Sequence, residues 1–348
     1  MTQRREKSSI LLIYTGGTIG MKEDPSIQAL RPFDFSQILA EVPELRKFAY
    51  KIDSFTFDPL IDSSDVDPRN WTTLASLIEE QYDNYDGFVI LHGTDTMAYS
   101  ASALSFMIEG LTKPVIFTGS QLPIGVPRTD GKENLISAVE IAASRNAEGH
   151  ATVPEVCIYF DNVLMRGNRT SKINSDNFRA FRSENYPPLA EAGISIRYND
   201  GLIIKPKDWN RKPVFHKHLD TRVSILKIHP GITPQVAEGI LCGRESRAVI
   251  IETYGAGNAP SRGWFLDIVR KAAAMGKILL NVTQCIAGSV NMDIYATGKC
   301  LKEAGVINGY DSTTESALGK LFFLMGMHEQ DEDVKRTLEY DLRGEISK

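Results

Sequence analysis

Apolar residues in this chain fall into short unbroken runs, each emptying into a small polar turn and followed by a stretch of helical period. Ile10 to Tyr14 is the first run, and it passes directly into Thr15-Gly16-Gly17-Thr18. Residues 87–91 and 115–118 repeat the pattern, ending in His92-Gly93-Thr94-Asp95-Thr96 and Gly119-Ser120-Gln121. Residues 156–160 form a fourth run, with the polar stretch 166–172 beyond it. Continuous apolar runs of this length mark strands covered on both faces of a parallel sheet. Between them the spacing predicts helices over residues 68–82, with Asp67 as N-cap and Pro68 in the first turn, over 97–109, and over 133–144. Residues 50–57 alternate like a strand, and 58–67 read as an acidic, serine-containing loop. Asp34 can cap a helix over 35–45. The polar segment 21–32, beside the glycine-rich turn, reads as a loop and a candidate lid.

The pattern loosens from Tyr186 to Pro213, where four prolines gather. A second alternating set then follows, with strands over 223–228, 248–251 and 278–282. Its helices lie near 234–241, before 275, and through most of 297–339. Strands alternating with helices predict an α/β fold with a mostly parallel sheet. The expected division is a catalytic amino-terminal domain over 1–200, a linker over 201–221 and a smaller α/β domain over 222–348.

Composition narrows the function. The 348 residues are 42% hydrophobic and 24% charged, the balance of an ordinary globular protein. A net charge of −5 gives no general attraction to nucleic acid or to an anionic membrane. The polar start and the brevity of the first apolar run fit neither a secretory leader nor a spanning helix, so a cytoplasmic location is expected. Four scattered cysteines without a C-x-x-C pair read as reduced, mostly buried thiols. His216 and His218 lie in a Lys- and Pro-rich stretch that reads as a solvated loop. The acidic loop 58–67 lacks the glycine and closing glutamate of an EF-hand, so no metal is expected. Neither glycine-rich nucleotide fingerprint is matched, and no cofactor is expected.

Ligands of open α/β sheets bind beyond the carboxyl ends of the strands. If the runs are parallel strands, the turns carrying Thr15 and Thr18, Thr94 and Asp95, and Lys172 meet at one edge. A threonine hydroxyl is a weak nucleophile until a base takes its proton, and lysine can be that base. Thr94, Lys172 and Asp95 then have the logic of nucleophile, base and orienter. Structural readings compete with this. The glycines can simply close a strand, and Thr94, Asp95 or Thr96 can cap the next helix. Lys172 can be a surface lysine in a solvated basic patch with Arg166 and Arg169.

The stretches Thr15-Gly-Gly-Thr-Ile19 and Leu91-His-Gly-Thr-Asp-Thr96 resemble the two signature motifs of bacterial-type L-asparaginases. The likeness continues through Asp62-Ser-Ser-Asp65, Thr118-Gly-Ser-Gln121, Arg166-Gly-Asn-Arg169 with Lys172, and Tyr254-Gly-Ala-Gly-Asn258. It therefore spans nearly the whole chain in order, and the lack of a leader resembles the cytoplasmic type I branch. The resemblance implies a larger Rossmann-like, flavodoxin-like domain followed by a smaller α/β domain. It also implies hydrolysis of L-asparagine through a threonine acyl-enzyme. On that pattern Thr18 attacks the side-chain amide, while Thr94, Asp95 and Lys172 form a second catalytic set. Asp62 and Ser63 match the loop for the substrate carboxylate, and Asp95 also matches the partner of its ammonium. Backbone N–H groups near Gly93 and Thr94 would receive the oxyanion. A homodimer, or a dimer of dimers, is implied, with Asn258 reaching the neighbour's site. Two departures stand out: no tyrosine lies in the segment 21–33, and Glu252 stands where some regulated members carry a basic residue, with Ser171 and Cys285 also at that regulatory site's positions. A glutaminase-asparaginase, a tRNA-dependent amidotransferase subunit and a non-catalytic amino-acid sensor share the same scaffold as alternatives.

Overall fold

The computed structural model describes residues 8–24, 29–32 and 41–348, with side chains over 8–21 and 41–348. The chain divides into two compact units, Met1–Phe215 and His216–Lys348. No helix among the described residues is long and apolar enough to cross a membrane.

The first unit is built on an eight-stranded sheet. Its strands run in the order Ile196–Tyr198, Ala190–Ala192, Val163–Arg166, Val156–Phe160, Val115–Thr118, Gly87–Leu91, Ser9–Tyr14 and Lys51–Thr56. The last five of these are parallel and the first three join antiparallel. Every residue of Gly87–Leu91, Val115–Thr118 and Val156–Phe160 is buried, which is why these runs carry no polar alternation. Tyr14 pairs with Leu91, and Leu91 with Thr118. The three turns that follow therefore leave the sheet at one level of one edge.

The helices follow from local chemistry. Pro68–Gln81 opens on a capping box in which Asp67 accepts from the Arg69 N–H and the Asn70 side chain accepts from the Asp67 N–H. Met97–Met107 is buried on nearly every side, matching its almost wholly apolar and small composition. Gly131–Ala143 lies along the strands Ser9–Tyr14, Gly87–Leu91, Val115–Thr118 and Val156–Phe160.

Several segments differ from the sequence reading. In the segment read as a loop, the backbones of Met21–Asp24 and Ala29–Pro32 pair as an antiparallel ribbon. The helix expected over 35–45 lies mostly outside the described residues, and Pro43–Lys47 is a 3-10 turn. Ile108–Glu109 leaves the preceding helix to pair with Val214–Phe215.

The largest difference concerns residues 166–172. Val163–Arg166 runs antiparallel to Val156–Phe160, away from the crevice edge. The chain then makes the 3-10 turn Gly167–Arg169 against the helix Met97–Met107, where the Ser102 hydroxyl donates to the Gly167 carbonyl at 3.4 Å. It finishes in Ser171–Lys172, paired with Phe181–Arg182. Arg166 and Arg169 are each only 2% exposed, so they form no solvated patch. Arg166 Nε lies 2.6 Å from Glu155 Oε2, and both guanidinium groups lie over the Tyr186 ring, at 4.3 and 5.1 Å.

The second unit carries a parallel sheet in the order Val223–Lys227, Ala248–Thr253, Ile278–Thr283, Ile307–Asn308. Arg247 bonds Asp331, Asp220 and the carbonyls of Met325 and His328, neutralising the carboxyl end of the helix Thr314–Met327. His216 lies in an irregular segment, half-buried, with its ring edge-on to Phe323, while Lys217 and His218 are exposed. Of the four free cysteines only Cys157 is buried, and Cys285 is exposed. No group of His, Cys, Asp and Glu able to hold a metal ion occurs among the described residues.

Glycines set the spacing of the turns at the sheet edge. A methyl on Gly17 would lie 2.5 Å from both Cα and N of Gly93, and one on Gly16 would lie 2.1 Å from the Ile61 carbonyl oxygen. Gly17 also has φ +93°, a conformation L side chains rarely adopt. Beneath this contact the His92 imidazole is wholly enclosed, and burial pulls its pKa from 6.5 down to about 4.

Two outcomes follow. Gly17→Ala should lower stability in urea unfolding by roughly 1–3 kcal/mol through overpacking alone, and an unchanged midpoint would show that the two turns are not in contact. His92 should make stability depend on acid. The unfolded chain takes up this proton near pH 6.5 and the folded chain only near pH 4, so stability is lost as the pH falls through that interval. The loss is on the order of 3 kcal/mol, and unfolding free energies for wild type and His92→Leu at pH 7, 5.5 and 4 measure it as the difference in slope.

Candidate active site

Three turns meet at the crevice edge, main chain against main chain. Thr15 bonds the Leu91 carbonyl twice, from its N–H at 3.0 Å and its hydroxyl at 2.9 Å. Its own carbonyl accepts the Ile61 N–H at 2.8 Å, which brings in the loop of Asp62 and Ser63. A methyl on Gly93 would lie 2.5 Å from the Ser63 hydroxyl, so that loop also presses on the second turn. Thr18 opens the 3-10 turn Thr18–Gly20 directly after Gly17, and Thr94 directly follows Gly93. Each threonine is thus one residue beyond the glycine contact.

Lys172 enters from the returning ribbon. Its ammonium donates to the Thr94 hydroxyl at 2.8 Å and to Asp95 Oδ1 at 2.7 Å. The Lys172 side chain is 17% exposed, whereas Asp95 is 61% exposed and presents its other oxygen to the crevice. That oxygen, Oδ2, lies 3.5 Å from the Ser63 hydroxyl. The Thr94 hydroxyl donates in turn to Gln121 Oε1 at 3.3 Å. A hydroxyl, an amine and a carboxylate are therefore linked in one file, the arrangement needed to pass a proton to or from oxygen.

The competing structural readings fail on geometry. Thr96, at the N-cap of Met97–Met107, makes no side-chain capping bond, and its hydroxyl donates instead to the Ser63 carbonyl at 2.6 Å. Lys172 is not a surface lysine. The meeting of the turns also differs from its expected cause, because Lys172 reaches Thr94 by doubling back along a helix and not from the end of a parallel strand.

Asp62 is turned to its own loop. Its Oδ1 accepts from the Ser64 N–H and hydroxyl, both at 2.9 Å, and these bonds hold its pKa below the usual carboxylate value. Ser63 is buried and Asp62 exposed. Asn258 belongs to the second unit. It closes a tight turn in which Tyr254 and Asn258 exchange backbone bonds of 2.8 and 2.9 Å, and its Oδ1 accepts from the Thr297 hydroxyl at 2.8 Å.

Three participants escaped the sequence reading. Gln121 stands three residues beyond Thr118, whose pairing with Leu91 sets it at the level of Thr94. Thr96 and His92 gave no signal, since their partners are a backbone carbonyl of a distant loop and a helix side chain.

The description "Asparaginase, N-terminal" matches residues 9–203, and "Glutaminase/Asparaginase C-terminal domain" matches residues 222–338. L-asparaginase 1 of Escherichia coli strain K12 is 43% identical over 348 residues, covering 98% of this chain and 99% of that protein. Among solved structures, L-asparaginase I of Vibrio cholerae superposes with a TM-score of 0.88 at 42% identity, covering 98% of this chain and 99% of that one. The thermostable L-asparaginase of Thermococcus kodakarensis gives 0.87 at 34% identity, again covering 98% and 99%. With both halves matched and full-length relatives well above 30% identity, the chain belongs to the asparaginase family of hydrolases.

Proposed function

We propose that this protein hydrolyses the side-chain amide of L-asparagine to L-aspartate and ammonia through a threonine ester. The observation that carries the reading is the file Thr94–Lys172–Asp95, with contacts of 2.8 and 2.7 Å, one residue from the glycine contact that brings Thr18 to the same edge.

In this reading the Thr18 oxygen adds to the side-chain carbonyl carbon, whose π pair moves onto oxygen. Backbone N–H groups near Gly93 and Thr94 receive that oxyanion, because donors aimed at developing charge lower the barrier most. Collapse breaks the C–N bond, the nitrogen leaves as ammonia with the proton released by Thr18, and an ester remains. Water then adds to the ester, and Thr94 with Lys172 takes its proton and passes it to the Thr18 oxygen as the C–O bond to Thr18 breaks. Lys172 serves as base only as the neutral amine.

The exposed half of Asp95 suits the substrate ammonium, and the Asp62–Ser63 loop suits its α-carboxylate. No cofactor or metal enters the scheme. The family resemblance supports a homodimer, or a dimer of dimers, in which Asn258 completes the neighbouring subunit's site. It supports a cytoplasmic setting as well. Glu252 already accepts the Thr314 hydroxyl at 2.7 Å, which favours a hyperbolic response to asparagine.

Ammonia release from L-asparagine and L-glutamine across a concentration series tests the reading. Thr18→Ala and Thr94→Val should each abolish turnover in a folded protein, and Lys172→Met should reduce it about 10²–10⁴-fold. Near-normal turnover in both threonine variants would defeat the two-threonine scheme. An inert wild type would point to an amino-acid sensor.

A further inference from the structure

His92 has no part in the chemistry above, yet its ring makes a complete and directional set of bonds. Trp71 Nε1 donates to the Ser100 hydroxyl at 2.9 Å. Ser100 Oγ lies 2.9 Å from His92 Nε2, and His92 Nδ1 lies 2.7 Å from the Gly93 carbonyl oxygen. The two ends allow one polarity. Indole N–H only donates and a carbonyl only accepts. The Ser100 proton must therefore go to Nε2, and Nδ1 carries the hydrogen given to Gly93. Ser100 and His92 are buried, so water does not compete for these bonds.

The terminus of this file is the peptide joining Gly93 to Thr94. A side chain at Gly93 is forbidden by Ser63 and Gly17, and glycine leaves that peptide the freest in the turn. It is trans, so its C=O and N–H point opposite ways. Holding the carbonyl toward the imidazole turns the Thr94 N–H away from it. Among the described residues no acceptor meets that N–H.

We infer that Trp71, Ser100 and His92 form a relay whose task is to fix the Gly93–Thr94 peptide so that the Thr94 N–H faces the reacting carbonyl, making His92 a positioning residue. The inference rests on the hydrolytic reading above. Any buried imidazole needs partners for both nitrogens; the carbonyl taken here belongs to the peptide that carries a site threonine.

The test separates bulk from hydrogen bonding. His92→Leu keeps the volume without a donor, whereas His92→Asn keeps an N–H near the Nδ1 position. His92→Leu should lose about 10²-fold in kcat with KM changed less than about threefold, the scale of one lost oxyanion donor. His92→Asn should recover at least tenfold of that, and Ser100→Ala should lose several-fold in kcat alone. Equal losses in Leu and Asn, or a folded His92→Leu with normal kcat, would overturn the relay. If His92→Leu does not fold, an unaltered kcat in Ser100→Ala overturns it. Nitrogen NMR of the wild-type imidazole gives a readout independent of turnover: the Nδ1–H tautomer is expected at pH 7, and Nε2–H would refute the relay even in an inactive protein. Absent ammonia from wild type would count against the asparaginase reading instead.

Discussion

The first unit depends on a contact made without side chains. Gly17 and Gly93 approach until no Cβ fits between them, and Gly16 does the same against Ile61. Close main-chain approach is the one thing only glycine permits, and here it occurs between turns that are about 75 residues apart in sequence. The parallel register makes it available, since Tyr14, Leu91 and Thr118 end at one level. Burial of the strands on both faces then keeps that level from slipping, because a shift in register would be felt by every packed side chain.

Around this contact the polar groups divide the labour. The backbone bonds of Thr15 and the Thr96 hydroxyl tie the loops together, leaving the exposed half of Asp95 facing the crevice. The buried Arg166–Glu155 pair has a different function. Glu155 also accepts the Ile204 N–H at 2.6 Å, and Arg166 Nη2 donates to the Leu202 carbonyl at 2.7 Å. A charge pair enclosed in this way is costly to break from one side, and it holds the strand from which the chain turns back toward Lys172.

Much of this is legible in the amino-acid sequence. Continuous apolar runs gave the parallel strands, Asp67-Pro68 gave a helix start to the residue, and threonines after strands gave the crevice. In the segment 166–172 polarity alone does not separate a solvated basic stretch from buried guanidinium groups paired with Glu155 and stacked on Tyr186. Partners 11 and 20 residues away carry that information, and no local pattern encodes them. The segments Met21–Asp24 and Ala29–Pro32 read as loop for the opposite reason. Their residues lack strand composition, and the two backbones pair with each other. Lys172 was found by chemistry, while the path that delivers it was not.

Because the turns touch through backbone, the frame of the site is nearly independent of which side chains line it. Exchanging a side chain that lines the crevice leaves its edges where the glycines put them. Insertion or deletion of a single residue in either signature turn has the reverse effect, since it displaces the glycine from its counterpart. A scaffold of this kind can vary its crevice side chains by point substitution, yet resists change in loop length at residues 15–18 and 92–95.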